Sequence, residues 1–123
     1  MSKVIVVDDD YSTTSLIKML LELEGYEVST FTEITSALQA AERGVTAFII
    51  DCYLGKEATG IDLLRSIRRH SDVTVRNAPI IMVSGDERIA DHVVSEGADL
   101  FLLKPYSPNA LTIEMKELIA SKA

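Results

Sequence analysis

Short apolar runs, each followed directly by polar side chains, divide the chain at regular intervals. Residues 47–50 form one such run, and Asp51 follows it without a gap. Three further runs share this design: residues 4–7 before Asp8, Asp9 and Asp10, residues 80–83 before Ser84, and residues 100–103 before Lys104. Apolar runs this short, with turn signals around them, are typical of strands buried on both faces of a sheet. Residues 26–30 instead alternate with period two, which favours an edge strand.

Segments with helical spacing of apolar residues separate these strands. Five helices are predicted, with the following signals: Asp10 to Gly25, a cap at Thr32 to a stop at Gly44, a start at Gly60, a cap at Asp86 to a stop at Gly97, and a start at Ser107 and Pro108. Residues 71–78 are predicted to be a polar connection without a helix. Arg65, Arg68 and Arg69 fall in the last turns of the third helix, where we expect a solvated basic face.

Five strands that alternate with five helices predict a parallel sheet covered on both faces, with right-handed crossovers. We therefore expect an α/β fold, a flavodoxin-like doubly wound five-stranded parallel sheet of order 2-1-3-4-5 with five helices. Residues 1–123 are expected to form one domain, since this length suffices to bury a sizeable core. Open sheets of this class bind ligands at the carboxyl ends of their strands.

Composition narrows the classes of partner. The net charge of −7 argues against direct contact with nucleic acid, which requires basic patches. No apolar run approaches the ~18 residues of a membrane span. The residues after Lys3 do not form a secretory signal, and a single cysteine, Cys52, excludes an intramolecular disulfide. We therefore expect a cytoplasmic protein with Cys52 as a small buried hydrophobe.

The polar endings of the strands carry the candidate chemistry. Strands 1 and 3 are neighbours in the expected order, so Asp8, Asp9 and Asp51 should converge and repel one another. A hard cation with oxygen ligands explains such a cluster, and Mg²⁺ shared with a phosphate fits it. Lys104 adds a charge suited to a phosphate oxygen, and Ser84 adds a hydroxyl donor. Together these groups predict phosphoryl transfer, with the central carboxylate as the nucleophile.

Four segments also carry a family resemblance. They are residues 6–10 (Val-Val-Asp-Asp-Asp), 49–51 (Ile-Ile-Asp), 82–85 (Met-Val-Ser-Gly) and 101–106 (Phe-Leu-Leu-Lys-Pro-Tyr). In this order and at these strand positions, the chain resembles the receiver domain of two-component response regulators over its whole length. The resemblance implies a signalling phosphoacceptor that promotes its own phosphorylation and dephosphorylation, rather than a turnover enzyme.

The resemblance also implies roles for particular residues. They are Asp51 as the phosphoacceptor, Asp8 and Asp9 with Asp51 and the backbone carbonyl of Tyr53 as Mg²⁺ ligands, Ser84 as the switch hydroxyl, Phe101 as the switch aromatic, Lys104 as the phosphate-binding lysine, and a cis peptide bond between Lys104 and Pro105. The chain departs from the family at Gly55, where many receivers have proline, and its loop to Gly60 is one residue longer than the commonest version.

The implied mechanism begins with a phosphohistidine of a histidine kinase or phosphotransfer protein, or with a small donor such as acetyl phosphate. Phosphorylation of Asp51 attracts Ser84 and Lys104, and Phe101 turns into the space that Ser84 leaves. The face formed by helix 4, strand 5 and helix 5 then changes shape and binds or releases a downstream protein.

Three other classes compete with this interpretation. A haloacid-dehalogenase-like phosphohydrolase would use Asp8 as its nucleophile in an Asp-x-Asp motif, but it needs a late acidic pair, which the chain lacks after Lys104. A pseudo-receiver scaffold is disfavoured because the chemical positions are all filled. A flavin- or nucleotide-binding relative is disfavoured because the turn after strand 1 is acidic, where a phosphate needs glycines and bare N–H groups.

Overall fold

The computed structural model describes residues 2–54 and 59–122. Its five strands are β1 (Lys3–Val7), β2 (Glu27–Phe31), β3 (Val45–Asp51), β4 (Ile80–Ser84) and β5 (Leu100–Leu103). They form one parallel sheet in the order β2-β1-β3-β4-β5, which confirms the predicted topology and places residues 27–31 at an edge. The predicted departure at Gly55 lies outside the described residues.

Helices connect successive strands. In the described part of the chain they are α1 (Tyr11–Leu23), α2 (Ile34–Ala40), α3 (Thr59–Arg68), α4 (Val73–Arg76), α5 (Ala90–Ser95), which follows a 3₁₀ turn at Glu87–Ile89, and α6 (Pro108–Lys122). None of these helices combines the length and the apolar character that a bilayer span requires.

Two of the helix predictions were wrong. Residues 71–78 contain the one-turn helix α4, because Asp72 Oδ1 accepts the Thr74 N–H at 2.8 Å and Val75 is buried beneath it. Helix α2 ends at Ala40 rather than Gly44, because Ala41 is already extended (ψ 108°) as the chain turns back toward the sheet. It also starts without a side-chain cap, so the predicted cap at Thr32 is absent.

Alternation along each buried strand divides the core between the two faces of the sheet. On β1, Val4 and Val6 pack with residues of α1 and α6, whereas Ile5 and Val7 pack with residues of α2, α3 and α5. Both sets are almost fully buried. Covered on two faces, the strands can bind a ligand only at their ends.

Gly60 lets α3 begin directly against the end of β3. Its N–H donates to the Cys52 carbonyl at 3.1 Å. A Cβ at this position would lie 2.8 Å from the carbonyl carbon of Asp51 and 2.9 Å from Cα of Cys52, closer than such atoms approach in proteins. Only glycine therefore permits this packing beside Asp51.

The basic face predicted on α3 is not uniformly solvated. The side chain of Arg68 is only 18% exposed, because its guanidinium turns inward to the amino edge of the sheet. There it donates to the carbonyls of Gly97 (2.8 Å), Arg76 (3.0 Å) and Ala78 (2.7 Å) and to Oδ2 of Asp99 (2.8 Å). Helical spacing does not distinguish such an inward cation from the exposed Arg69 one position later.

Candidate functional site

The carboxyl edge of the sheet brings three carboxylates together, as predicted. Asp8 follows β1 directly, and Asp51 is the last residue of the neighbouring strand β3. One carboxylate oxygen each from Asp8, Asp9 and Asp51 lie within 4.8 Å of one another. Asp8 is 2% exposed and Asp51 7%, whereas Asp9 is exposed. Two buried acids and one at the surface thus form a cluster that opens to solvent on one side.

Lys104 lies between the two buried carboxylates. Its Nζ is 2.7 Å from Oδ2 of Asp51 and 3.1 Å from Oδ2 of Asp8. Burial opposes the charge on this lysine, but the hydrogen bonds and negative charges of Asp51 and Asp8 outweigh it and raise the pKa of Lys104. The amine therefore stays protonated and holds the two carboxylates in place.

Burial raises the pKa of Asp8 despite its hydrogen bonds. Its carboxylate accepts the Asp10 N–H (2.9 Å) and a proton of Lys104, and both contacts favour the charged form. Loss of hydration acts more strongly against that form, and the nearby charge of Asp51 adds to the effect. A further cation at this site would offset both effects.

Asp10 caps α1, in agreement with the helix predicted to begin there. Its Oδ1 accepts the N–H groups of Ser12 at 3.0 Å and Thr13 at 3.4 Å. The same contacts, together with the Thr13 hydroxyl, lower the pKa of Asp10. Of the three consecutive acids, Asp8 and Asp9 are the two that join Asp51.

Ser84 ends β4 at the same edge and is 1% exposed. Its Oγ accepts the Asp86 N–H at 3.0 Å, and its backbone carbonyl accepts the Lys104 N–H at 2.8 Å. The hydrogen bond from the Asp86 N–H uses a lone pair of Oγ and not its proton. The hydroxyl proton of Ser84 therefore remains available for an acceptor. This geometry suits a group that donates a hydrogen bond.

Tyr53 contacts the cluster through its backbone, whereas Phe101 lies within β5. The Tyr53 N–H donates to Oδ1 of Asp51 at 3.0 Å, so this carboxylate is held from both sides, by the amide and by Lys104. Phe101 lies opposite Met82 and packs, half buried, against the core that faces α2, α3 and α5. The Tyr53 carbonyl as a metal ligand and Phe101 as a switch stay predictions.

The donor set fits a hard divalent cation. The three clustered side chains, Asp8, Asp9 and Asp51, supply only oxygen ligands, and among the described residues this group contains no sulfur or imidazole ligand of the kind that softer metals prefer. The two buried carboxylates, Asp8 and Asp51, carry two formal negative charges against the single positive charge of Lys104, which leaves a sum of −1 for these three groups. This imbalance, in a partly buried place, favours a small cation.

Comparison with known proteins identifies the family. Residues 4–116 match the model of the response regulator receiver domain. This chain belongs to that family. The assignment decides against the phosphohydrolase alternative and agrees with the cis bond between Lys104 and Pro105, which the resemblance implied and the structure contains.

The relatives differ from this chain in length. The transcriptional regulatory protein CpxR homolog of Haemophilus influenzae is 34% identical over 125 residues, covering the whole of this chain and 52% of the relative. This receiver domain thus spans about half the length of the curated relatives it matches.

Solved structures agree on the fold. A CheY-like receiver domain protein from Methanospirillum hungatei JF-1 superposes with a TM-score of 0.86 at 26% identity, covering 99% of this chain and 96% of the other. The receiver domain of a sensor histidine kinase from Pseudomonas aeruginosa PAO1 shares the fold at 24% identity (TM-score 0.83, covering 97% and 98% of the two chains) and holds a magnesium ion in its active-site cleft.

Sequence reasoning assigned no role to Tyr106. Its side chain packs near Lys104, and its hydroxyl oxygen is buried without a hydrogen-bond partner among the described residues. Burial raises the pKa of Tyr106 to about 12. A tyrosine two positions after a lysine carries no sequence signal of this kind, since only the fold decides whether its hydroxyl reaches water.

Proposed function

We propose that Asp51 accepts a phosphoryl group from a phosphohistidine of a histidine kinase or phosphotransfer protein. The observation that carries this proposal is the position of Asp51. Its carboxylate lies 2.7 Å from the Lys104 amine and shares one cluster with Asp8 and Asp9. We further propose that residues 1–123 form a single receiver domain.

The chemistry follows from the contacts of Asp51. A carboxylate oxygen of Asp51 attacks phosphorus, the P–N bond to the donor imidazole breaks, and its electron pair returns to the ring. The Tyr53 N–H and the Lys104 amine hold the carboxylate and limit its rotation before attack. Lys104 then stabilises the charge of the phosphoryl group as it arrives.

Asp8, Asp9, Asp51 and the carbonyl of Tyr53 would hold Mg²⁺. Such an ion neutralises the clustered carboxylates and the charge of the transferring phosphoryl group. The oxygen-only donors and their net negative charge support this choice, and the Pseudomonas domain with the same fold provides a precedent.

Phosphorylation would bias the fold through two donors. The dianion on Asp51 attracts the free hydroxyl proton of Ser84 and the amine of Lys104, which follow β4 and β5. A shift of Ser84 leaves space for Phe101 to turn inward. The face formed by α5, β5 and α6 then presents a different surface to a downstream protein.

The experiment that tests the proposal is intact mass spectrometry after incubation with acetyl phosphate and Mg²⁺. We expect one added phosphoryl group in the natural chain and none in Asp51→Asn. Asp62→Asn, which changes an exposed acid on α3, is the matched control and should be modified like the natural chain. EDTA should suppress the reaction.

Other outcomes would identify the alternatives. Modification that survives Asp51→Asn and disappears in Asp8→Asn would show that Asp8, and not Asp51, is the nucleophile. No modification by acetyl phosphate or by any phosphohistidine donor, in a chain that binds Mg²⁺ by calorimetry, would favour the scaffold without phosphorylation.

A further inference from the structure

Three side chains at the carboxyl edge of the sheet are held in the same way. Each accepts the backbone N–H of the residue two positions later: Asp8 Oδ1 that of Asp10 at 2.9 Å, Asp51 Oδ1 that of Tyr53 at 3.0 Å, and Ser84 Oγ that of Asp86 at 3.0 Å. A local hydrogen bond of this kind restricts the direction in which a side chain points at the end of a strand. The orientation of each side chain therefore depends on what fixes the amide that donates to it.

The amide of Asp10 is fixed by the start of α1. The Asp10 side chain caps this helix, since its Oδ1 accepts the N–H groups of Ser12 (3.0 Å) and Thr13 (3.4 Å) and its Oδ2 accepts the Thr13 hydroxyl (2.9 Å). The Asp10 carbonyl accepts the Thr14 N–H at 3.0 Å, the first hydrogen bond of the helix. Because Asp10 is bound to the helix through both its side chain and its carbonyl, the direction of its own N–H is restricted.

Asp8 has few other means of keeping its orientation. It is 2% exposed, so water has little access to replace a lost contact. Its Oδ2 binds Lys104 Nζ at 3.1 Å, but that amine lies on a flexible side chain and also binds Asp51. A metal ligand that can rotate must be ordered by the ion itself, and this ordering lowers the affinity for the ion.

We propose that Asp10 is a positioning residue for the cation site, because its cap of α1 fixes the amide that orients Asp8. This inference rests on the proposed function, in which Asp8 is a ligand of Mg²⁺. Asp10 acts here through Asp8 and not as a ligand. Any residue at position 10 supplies the N–H, so what the side chain must supply is an acceptor for the end of the helix. An uncharged cap should therefore be sufficient.

The test compares two uncharged variants by calorimetric titration with Mg²⁺ at constant pH and ionic strength. Asp10→Asn keeps a side-chain oxygen that can cap α1, whereas Asp10→Ala removes it, and both lose the same charge. We expect Asp10→Ala to bind Mg²⁺ about tenfold more weakly than Asp10→Asn, as for other residues that orient metal ligands. Asp72→Ala, which removes a similar cap from α4, should bind Mg²⁺ as the natural chain does.

A second measurement needs no metal. In EDTA, the scalar coupling across the hydrogen bond, between ¹⁵N of residue 10 and ¹³Cγ of Asp8, should be equal in the natural chain and in Asp10→Asn. It should be smaller in Asp10→Ala, because the amide of the uncapped residue is free to turn. Circular dichroism selects a temperature at which all the variants are folded, so that unfolding of α1 does not account for the difference.

Three results would overturn the proposal. They are equal Mg²⁺ affinities in Asp10→Ala and Asp10→Asn, a loss of affinity in Asp72→Ala as large as that in Asp10→Ala, and a coupling in Asp10→Ala as large as in the natural chain. If the natural chain binds no Mg²⁺, the proposed function fails at its metal, and the coupling alone then decides whether Asp10 orients Asp8.

Discussion

The two edges of the sheet differ in the partners that their buried charged groups have. At the carboxyl edge, the buried carboxylates of Asp8 and Asp51 share one ammonium group, that of Lys104, so negative charge exceeds positive charge among these three groups. Burial raises the pKa of Asp8 there, which means that folding works against its ionisation. This edge is poor for stability and suited to binding a cation and a phosphoryl group.

At the amino edge, by contrast, the charged groups have hydrogen-bond partners of opposite charge or on the backbone. Asp99 accepts from Arg68 (2.8 Å), from Lys122 (2.9 Å) and from the Ile80 N–H (2.8 Å). Arg68 uses its other donors on three backbone carbonyls. Two cations and one carboxylate thus join α3, β4 and α6, and each group has partners.

Burial of charged groups therefore affects stability differently at the two edges of the sheet. Where a charged group has several hydrogen-bond partners, as Arg68 has, it stabilises the fold. Where charges of one sign accumulate, as at Asp8, they lower the stability of the fold but form a site that can bind a cation. Variants that remove a charge should therefore have opposite effects at the two edges.

Arg68→Met should produce the largest loss. The variant removes the guanidinium donors from the carbonyls of Gly97, Arg76 and Ala78 and from Asp99, so the free energy of unfolding should fall by about 2–4 kcal/mol. Urea denaturation followed by circular dichroism measures it. Arg69→Met, at the exposed residue directly after the helix, should change stability by less than about 0.5 kcal/mol. Equal losses in the two variants would remove the distinction between the edges.

Gly60→Ala should destabilise the carboxyl edge by about 1–3 kcal/mol, because the new methyl group overlaps the Asp51 backbone. Thermal unfolding measures the loss. Gly85→Ala is the matched control, since a Cβ there meets nothing within 4 Å. If both variants unfold alike, the close packing of α3 on β3 does not restrict position 60 to glycine.

Asp8→Asn should instead raise stability, by about 1 kcal/mol at neutral pH in EDTA. Burial raises the pKa of Asp8 in the folded state, so its favourable contribution is complete below the ordinary pKa of 3.8 and is lost as the pH rises through the raised value. The advantage of the variant should therefore shrink as the pH falls. Chemical denaturation at several pH values measures this dependence.

Asp91→Asn, at an exposed acid on α5, provides the control and should change stability little at any pH. Addition of Mg²⁺ should stabilise the natural chain more than Asp8→Asn. If Asp8→Asn is less stable than the natural chain at neutral pH in EDTA, the carboxyl edge is not under electrostatic strain.

The smallest expected effect concerns Cys52. Its thiol should not react while the chain is folded. Burial and then the charge of Asp51 raise the pKa of Cys52 to about 12, and its side chain is fully buried. Iodoacetamide should alkylate it only after denaturation, as intact mass would show. Rapid alkylation of the folded chain would mean that this end of β3 opens readily.

Much of the fold and site followed from local pattern. The apolar runs before Asp8, Asp51, Ser84 and Lys104 predict strands, because runs of about four residues with turn signals around them are too short for a buried helix. Their alternation with helices then predicts a parallel sheet. Its strand order brings the polar endings together. The acidic cluster and its lysine were thus predictable before any coordinates.

Only the tertiary structure decided what depends on contacts between distant segments. Arg68 and Arg69 are adjacent in sequence, yet the side chain of Arg68 is largely buried and that of Arg69 is exposed. The reason is that the carbonyls to which Arg68 donates belong to residues 76, 78 and 97. The unpaired hydroxyl of Tyr106 depends likewise on how α1 packs against the segment after β5. Periodicity reports the face on which a side chain starts, whereas the position of its polar end depends on groups that are far apart along the chain.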